Sequence, residues 1–244
     1  FLKNSCVSNL NLFNKACQIQ YPSYMHALPF MKKDWFVQRR VQQTFSLKTI
    51  ADSVEAMIGA CYLHGVLKEA TKFCVKLGLE VDQEVYEDSI PAENVFDSPM
   101  ISRVTPLEKL LEYEFKNKSL LVQALTHPSY NDKLPNYQRL EFLGDAVLDL
   151  VAIDYIFREH PTVTPAELTV LKSEIVNNNS LAACCEKYGF HQFLNHQSEQ
   201  VSEELALFKM KKEVTQDAPK ILGDLFESIA GALFVDCGFD LETV

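Results

Sequence analysis

The pattern Lys-x-x-x-Asp-x-x-Glu-x-x-x-Gly-Ala occurs twice in the chain, at Lys48, Asp52, Glu55, Gly59 and Ala60 and again at Lys220, Asp224, Glu227, Gly231 and Ala232. Intervals of three and four residues fall on one face of an α-helix. The chain must therefore present two copies of one helix, each with the same acidic face. A second acidic pair, Glu141 and Asp145, lies within Gln138–Asp145 (QRLEFLGD) and has no counterpart elsewhere in the sequence. One copy of the site reads as whole, the other as half of one.

The repeat extends outward. Val7, Asn9 and Leu12 match Val176, Asn178 and Leu181 at an offset of 169 residues, against 172 for the acidic motifs. On that alignment the first unit begins at the equivalent of about residue 170 of the second, and everything equivalent to 105–169 is missing from it. Truncation, rather than degeneration, is the expected cause, with the missing Glu-x-x-x-Asp lying before Phe1 and a cut helix beginning at Leu241. The expected organisation is a partial first domain over 1–80, an acidic linker over 81–104 and a second domain over 105–244.

Helix signals dominate the second domain. Thr105-Pro106-Leu107-Glu108 and Thr164-Pro165-Ala166-Glu167 each combine an N-cap, a proline in the first turn and a capping-box Glu. Further helices are expected over 119–125, 180–187 (ended by Gly189) and 219–236. Residues 137–159 are apolar on almost every face, the pattern of a helix buried in the middle of a domain. No alternating strand pattern is present, so the fold class is all-α.

Net charge is −10 over 244 residues, which weighs against a phosphate-rich partner. Seven carboxylates, with no Lys or Arg among them, fall between Glu80 and Asp97, however, and the remainder is nearly balanced. The apolar run Phe142–Phe157 is interrupted by Asp145, Asp149 and Asp154, short of the roughly 18–20 apolar residues of a membrane span. Seven scattered cysteines without a CxxC spacing read as reduced thiols. The expectation is an intracellular protein, cytoplasmic or nuclear, with no membrane partner.

Glu141 with Asp145, and Asp224 with Glu227, each share one face of a helix, and two such helices crossing would gather four carboxylates among apolar neighbours. Their desolvation costs several kcal/mol each, which a divalent cation offsets. Oxygen-only donors select Mg²⁺ or Mn²⁺ over zinc, and such a site suits phosphodiester hydrolysis. Lys220, one turn before Asp224, is placed to hold a water or neutralise developing charge; Lys48 precedes Asp52 identically. A single helix carboxylate is ordinarily solvated surface, but the same five residues at the same spacing twice are not readily given by chance.

At these residues the chain resembles the ribonuclease III endonucleases. Gln138–Leu148 is similar to that family's signature, Leu125–Tyr130 (LTHPSY) to the short motif preceding it, and Ile221–Phe234 to its second acidic motif. The tandem arrangement resembles the C-terminal region of the Dicer branch. The resemblance implies a ribonuclease III fold, one complete domain plus the C-terminal half of another. It implies that Glu141, Asp145, Asp224 and Glu227 bind catalytic Mg²⁺ or Mn²⁺ with Lys220 assisting, and that Lys48, Asp52 and Glu55 belong to a second, incomplete site. It also implies paired domains acting on double-stranded RNA to leave staggered ends with 5′-phosphates, with RNA-silencing effector proteins as further partners. A rival reading is a non-catalytic double-stranded-RNA-binding or scaffold module; metal binding separates the two. The isolated chain is expected to be a poor enzyme, or residues 105–244 to self-associate.

Lys32, Lys33, Arg39, Arg40, Lys209, Lys211 and Lys212 are candidate phosphate contacts, each equally consistent with solubilising surface. His127 reads as a structural hydrogen-bonding residue rather than a ligand, and Cys184 and Cys185 as buried helix residues. Asp149 is weighed as a supporting group against a cap or surface role. Asn177 and Asn178 are weighed as groups that orient Glu141 or a water.

Overall fold

A computed structural model of the chain describes residues 46–79, 95–210 and 218–244. Lys32, Lys33, Arg39, Arg40, Lys211, Lys212 and the Val7–Leu12 repeat lie outside the described residues. The chain divides into two compact units, 1–85 and 86–244.

In the first unit the described residues form one helix, α1 (Leu47–Lys76), capped by the Ser46 side chain, which accepts from Thr49 N–H at 3.1 Å. Gly65 (φ −156°, ψ 32°) and Val66 (φ 54°, ψ −155°) interrupt it. By length and composition α1 is apolar enough to cross a bilayer. Its sequence, however, repeats that of a helix which in the second unit is a protein core, so apolarity here has a simpler source.

The second unit holds α2 (Ser98–Leu111), α3 (Lys118–Ala124), α4 (Gln138–Glu159), α5 (Pro165–Ile175), α6 (Asn178–Lys187), a 3₁₀ turn (Phe190–Phe193), α7 (Glu199–Met210) and α8 (Lys220–Asp236). Among the described residues the only extended pairing is a parallel bridge between Thr126 and Asn195, which agrees with an all-α fold. The capping box at Thr164 and Glu167 forms as expected. Residues 241–243 form a turn rather than the start of a helix.

Two expectations are corrected. The second unit does not begin at 105: α2 starts at Ser98, where Asp97 accepts from Met100 N–H at 3.0 Å and Pro99 sits in the first turn. An N-cap and first-turn proline like those expected at Thr105 are thus used eight residues earlier, without the capping-box Glu, and Phe96 and Val104, assigned to the linker, are core residues. Pro106 lies inside α2, and Glu108 is buried. Its carboxylate accepts from Phe115 N–H at 3.0 Å and pairs with Lys118 at 2.6 Å, fixing the turn into α3.

The second correction concerns the central helix. It is α8, not α4. On α8, 13 of 17 residues are buried, and it packs against α4, α6 and α3. On α4, Leu140, Gly144, Val147, Ala152 and Ile156 face inward, while Phe142 is 84% exposed and Ile153, Tyr155 and Phe157 are also exposed. The small residues decide which helix is central. A Cβ on Gly144 would lie 1.7 Å from the Glu227 carbonyl oxygen, and one on Gly231 2.2 Å from that of Leu140. The two backbones touch. Ser228 ties α8 to α3 by donating to the Ala124 carbonyl at 2.7 Å.

Gly144→Ala cannot be absorbed by a rotamer change, because the clash is with backbone. It is expected to destabilise the second unit by about 3 kcal/mol or more, at or beyond the upper end of ordinary overpacking. Chemical denaturation of the variant checks this.

Candidate metal centre

The α4–α8 crossing sets Glu141, one turn before Gly144, opposite Asp224 and Glu227, about two turns and one turn before Gly231. One carboxylate oxygen from each of Glu141, Asp224 and Glu227 lies within 4.8 Å of the other two. Asp224 is buried and the other two are half-buried. Lys220 bridges the helices: its Nζ donates to Glu141 Oε1 at 3.2 Å and to Asp224 Oδ1. Tyr137, just before α4, donates its hydroxyl to Asp224 Oδ2 at 3.3 Å.

Asp145 stands apart from the other expected ligands. It is exposed and outside the three-carboxylate cluster. Its charge nevertheless bears on Glu227 more than that of any other residue, so it faces the centre from the rim.

The electrostatics follow from crowding. Burial first, then the charges of Asp145, Asp224 and Glu141, push the Glu227 carboxyl up to about 7, against the opposing pull of Lys220. For Lys220, burial works against the ammonium, but its bonds to Asp224 and Glu141 outweigh that and raise it. Burial and the same two carboxylates hold the Tyr137 hydroxyl well above its ordinary range. Three carboxylates, a fourth nearby and one ammonium leave surplus negative charge with oxygen donors only. That donor set fits a hard divalent cation, which Glu141, Asp224 and Glu227 could hold.

Other expected residues sort as follows. Lys48 and Asp52 form a solvent-exposed ion pair at 3.6 Å, and Glu55 is exposed. Lys209 lies in the last turn of α7. Asp149 pairs with Lys172 at 2.8 Å, a packing contact between α4 and α5. Asn177 and Asn178 do not orient Glu141: Asn177 caps α6 by accepting from Ser180 N–H, and Asn178 donates to the Ala218 carbonyl at 2.8 Å. His127 accepts from Ser129 N–H through Nδ1 at 3.0 Å, a turn-fixing role. Cys185 is buried and Cys184 half-buried. Tyr137 was the residue that sequence reasoning missed; a tyrosine ahead of a helix carries no periodic signal.

Residues 138–238 match the family model of the ribonuclease III domain. The whole chain is similar to the protein named endoribonuclease Dicer homolog 2b of Oryza sativa subsp. japonica, at 34% identity over 277 residues, covering 100% of this chain and 20% of that one. It is similar also to the protein named Dicer of Schizosaccharomyces pombe, at 32% over 284 residues with the same coverage. The chain spans about a fifth of the length of these curated relatives. Among solved structures, the nuclease domain of a ribonuclease III from Campylobacter jejuni is 38% identical, covers 57% of this chain and 90% of its own, and superposes with a TM-score of 0.49.

Glu227 titrates near 7 in the folded state against an ordinary value of 4.5, so the folded state holds its proton more tightly. Its contribution to stability is fully present below about pH 4.5 and is lost as pH rises through about 7. Metal-free protein is therefore expected to melt at a lower temperature at pH 8 than at pH 5. Glu227→Gln should flatten that dependence and Mn²⁺ should reverse the loss at pH 8, both read from thermal unfolding across the pH range.

Proposed function

The chain belongs to the ribonuclease III family, and from that premise we propose that it is the nuclease core of a Dicer-type endoribonuclease that hydrolyses double-stranded RNA at the carboxylate cluster of its second unit. The observation that carries this reading is the convergence of Glu141, Asp224 and Glu227 from two crossing helices, with Asp145 at the rim and Lys220 between them. A scaffold has no use for so costly a cluster. Retention of all four carboxylates with Lys220 weighs against the non-catalytic alternative.

Mg²⁺ or Mn²⁺ bound here would supply an activated water and stabilise the leaving oxygen of an in-line displacement. The chain's own residues do the rest. Glu141, Asp224 and Glu227 would hold the cation, with Asp145 as a fourth carboxylate on the same face of α4 as Glu141. Lys220 keeps its ammonium beside Asp224 and Glu141, where it offsets charge that builds on the attacked phosphate. Glu227, whose carboxyl is pushed up to about 7, would have to give up its proton to serve as a ligand.

Double-stranded RNA suits a site that contacts backbone rather than bases, since its A-form minor groove is read through shape, phosphates and 2′-hydroxyls. Lys209 is the described member of the proposed phosphate contacts; Arg39, Arg40, Lys211 and Lys212 complete that set. The exposed apolar face of α4, with Phe142, Tyr155 and Phe157, and the exposed Val170 and Ile175 of α5 suit pairing with another ribonuclease III unit. Products with 5′-phosphates and staggered ends, a role in RNA silencing, effector-protein partners and an intracellular location complete the reading. The first copy contributes Lys48, Asp52 and Glu55 without a Glu-x-x-x-Asp helix, so cutting by this chain is assigned to the second unit and is slow.

The test uses duplex RNA with each strand end-labelled in turn, under enzyme excess with Mg²⁺ or Mn²⁺. The intact chain should cut duplex but not single-stranded RNA. Asp224→Asn and Glu227→Gln should each lower the rate by about a hundredfold or more. Unchanged cutting by both variants, or duplex binding by the wild type with no cutting in either metal, overturns the proposal.

A further inference from the structure

We propose that Tyr137 is a positioning residue for the carboxylate centre, its hydroxyl locking Asp224 in the orientation that receives a cation. This rests on the metal-binding reading above and adds a residue to it. Asp224 is 8% exposed, so water is poorly placed to orient its carboxylate. Instead it has one protein donor on each oxygen: Lys220 Nζ on Oδ1, from its own helix, and the Tyr137 hydroxyl on Oδ2 at 3.3 Å, from the segment leading into α4. Two donors from different elements prevent the carboxylate from rotating. Each oxygen retains a further lone pair for a metal ion.

Tyr137 is itself held rigidly. It is 6% exposed, and its backbone N–H donates to the Thr126 carbonyl at 2.9 Å. That carbonyl belongs to the Leu125–Tyr130 motif, which is pinned on three sides. Asn195 N–H donates to Leu125 O at 2.8 Å, His127 N–H donates to Asn195 O at 2.9 Å, and the Thr126 hydroxyl donates to Val122 O at 2.7 Å. The His127 ring packs 5.7 Å from the Tyr137 ring. The chain of contacts runs from the Leu-Thr-His-Pro-Ser motif, which supplies no ligand, through Tyr137 to Asp224. It gives that motif a task at the metal centre.

A packing role and a positioning role separate at Tyr137→Phe, which keeps the ring and removes only the hydroxyl. Mn²⁺ binding to the intact chain, followed by calorimetry and by the Mn²⁺ paramagnetic resonance spectrum, is compared for wild type, Tyr137→Phe, Tyr137→Leu and Glu227→Gln. Loss of a hydrogen bond that orients a ligand lowers metal affinity by about tenfold or more. Tyr137→Phe and Tyr137→Leu should both show that loss and an altered spectrum, with circular dichroism confirming the fold of each. If Phe restores wild-type affinity and spectrum while Leu does not, Tyr137 only packs and the proposal falls. Wild-type binding that Glu227→Gln weakens, together with an unchanged Tyr137→Phe, overturns the role of Tyr137 and leaves the metal reading standing; no binding by the wild type overturns both.

Discussion

The contact between Gly144 and Gly231 sets everything else in the second unit. Helices with ordinary side chains at the crossing stand about 8–10 Å apart. Here each glycine would drive a Cβ into the opposing backbone, 1.7 Å from one carbonyl oxygen and 2.2 Å from another. Closeness at this point brings Glu141 on α4 to Asp224 and Glu227 on α8. The same crossing buries α8 between α4, α6 and α3, so the packing that stabilises the unit also forces acidic side chains together. Fold and site are one interaction seen from two sides.

The electrostatic cost of that arrangement is met in part by the protein itself. Lys220 spans the two helices, and Tyr137 adds a neutral donor to Asp224, the most buried carboxylate of the centre. Neither suffices: Glu227 still sits near 7, where protonation relieves the crowding. A site left with unspent negative charge after its own cation is counted is built for another. Its donors are all oxygens, which narrows that second cation to a hard one.

Much of this was legible in the sequence because helix geometry is periodic. The spacing of Asp224 and Glu227 placed them on one face, and the Thr164–Glu167 capping box formed where its residue types required. Three things were not legible. The start of α2 is ambiguous in the sequence because Asp97-Ser98-Pro99 and Thr105-Pro106 both offer an N-cap followed by a proline, and only the burial of Phe96 and Val104 chooses between them. The central helix is not marked by an apolar pattern on almost every face, which points to α4, but by close approach, which favours the glycines and alanines of α8. The position of Asp145 at the rim depends on the crossing angle, and Tyr137 on a loop; neither has a period to read.

The repeated motif shows how little of the site resides in residues alone. In α1, Lys48 and Asp52 form the same i, i+4 pair as Lys220 and Asp224, with side chains 83% and 57% exposed, and such pairs contribute little. Gly59 occupies the position of Gly231, yet no described residue comes within 4 Å of where its Cβ would be. Even the helix ends correspond: α1 is interrupted at Gly65 and Val66, and α8 gives way at the matching Cys237 and Gly238. Two stretches with one pattern therefore share a face and a break in the helix at the matching position, because those properties are local. Among the described residues they differ in what a crossing helix supplies. Burial of the aspartate, the raised glutamate and the bridging lysine all come from α4 lying across Gly231, so the chemistry belongs to the crossing rather than to the motif.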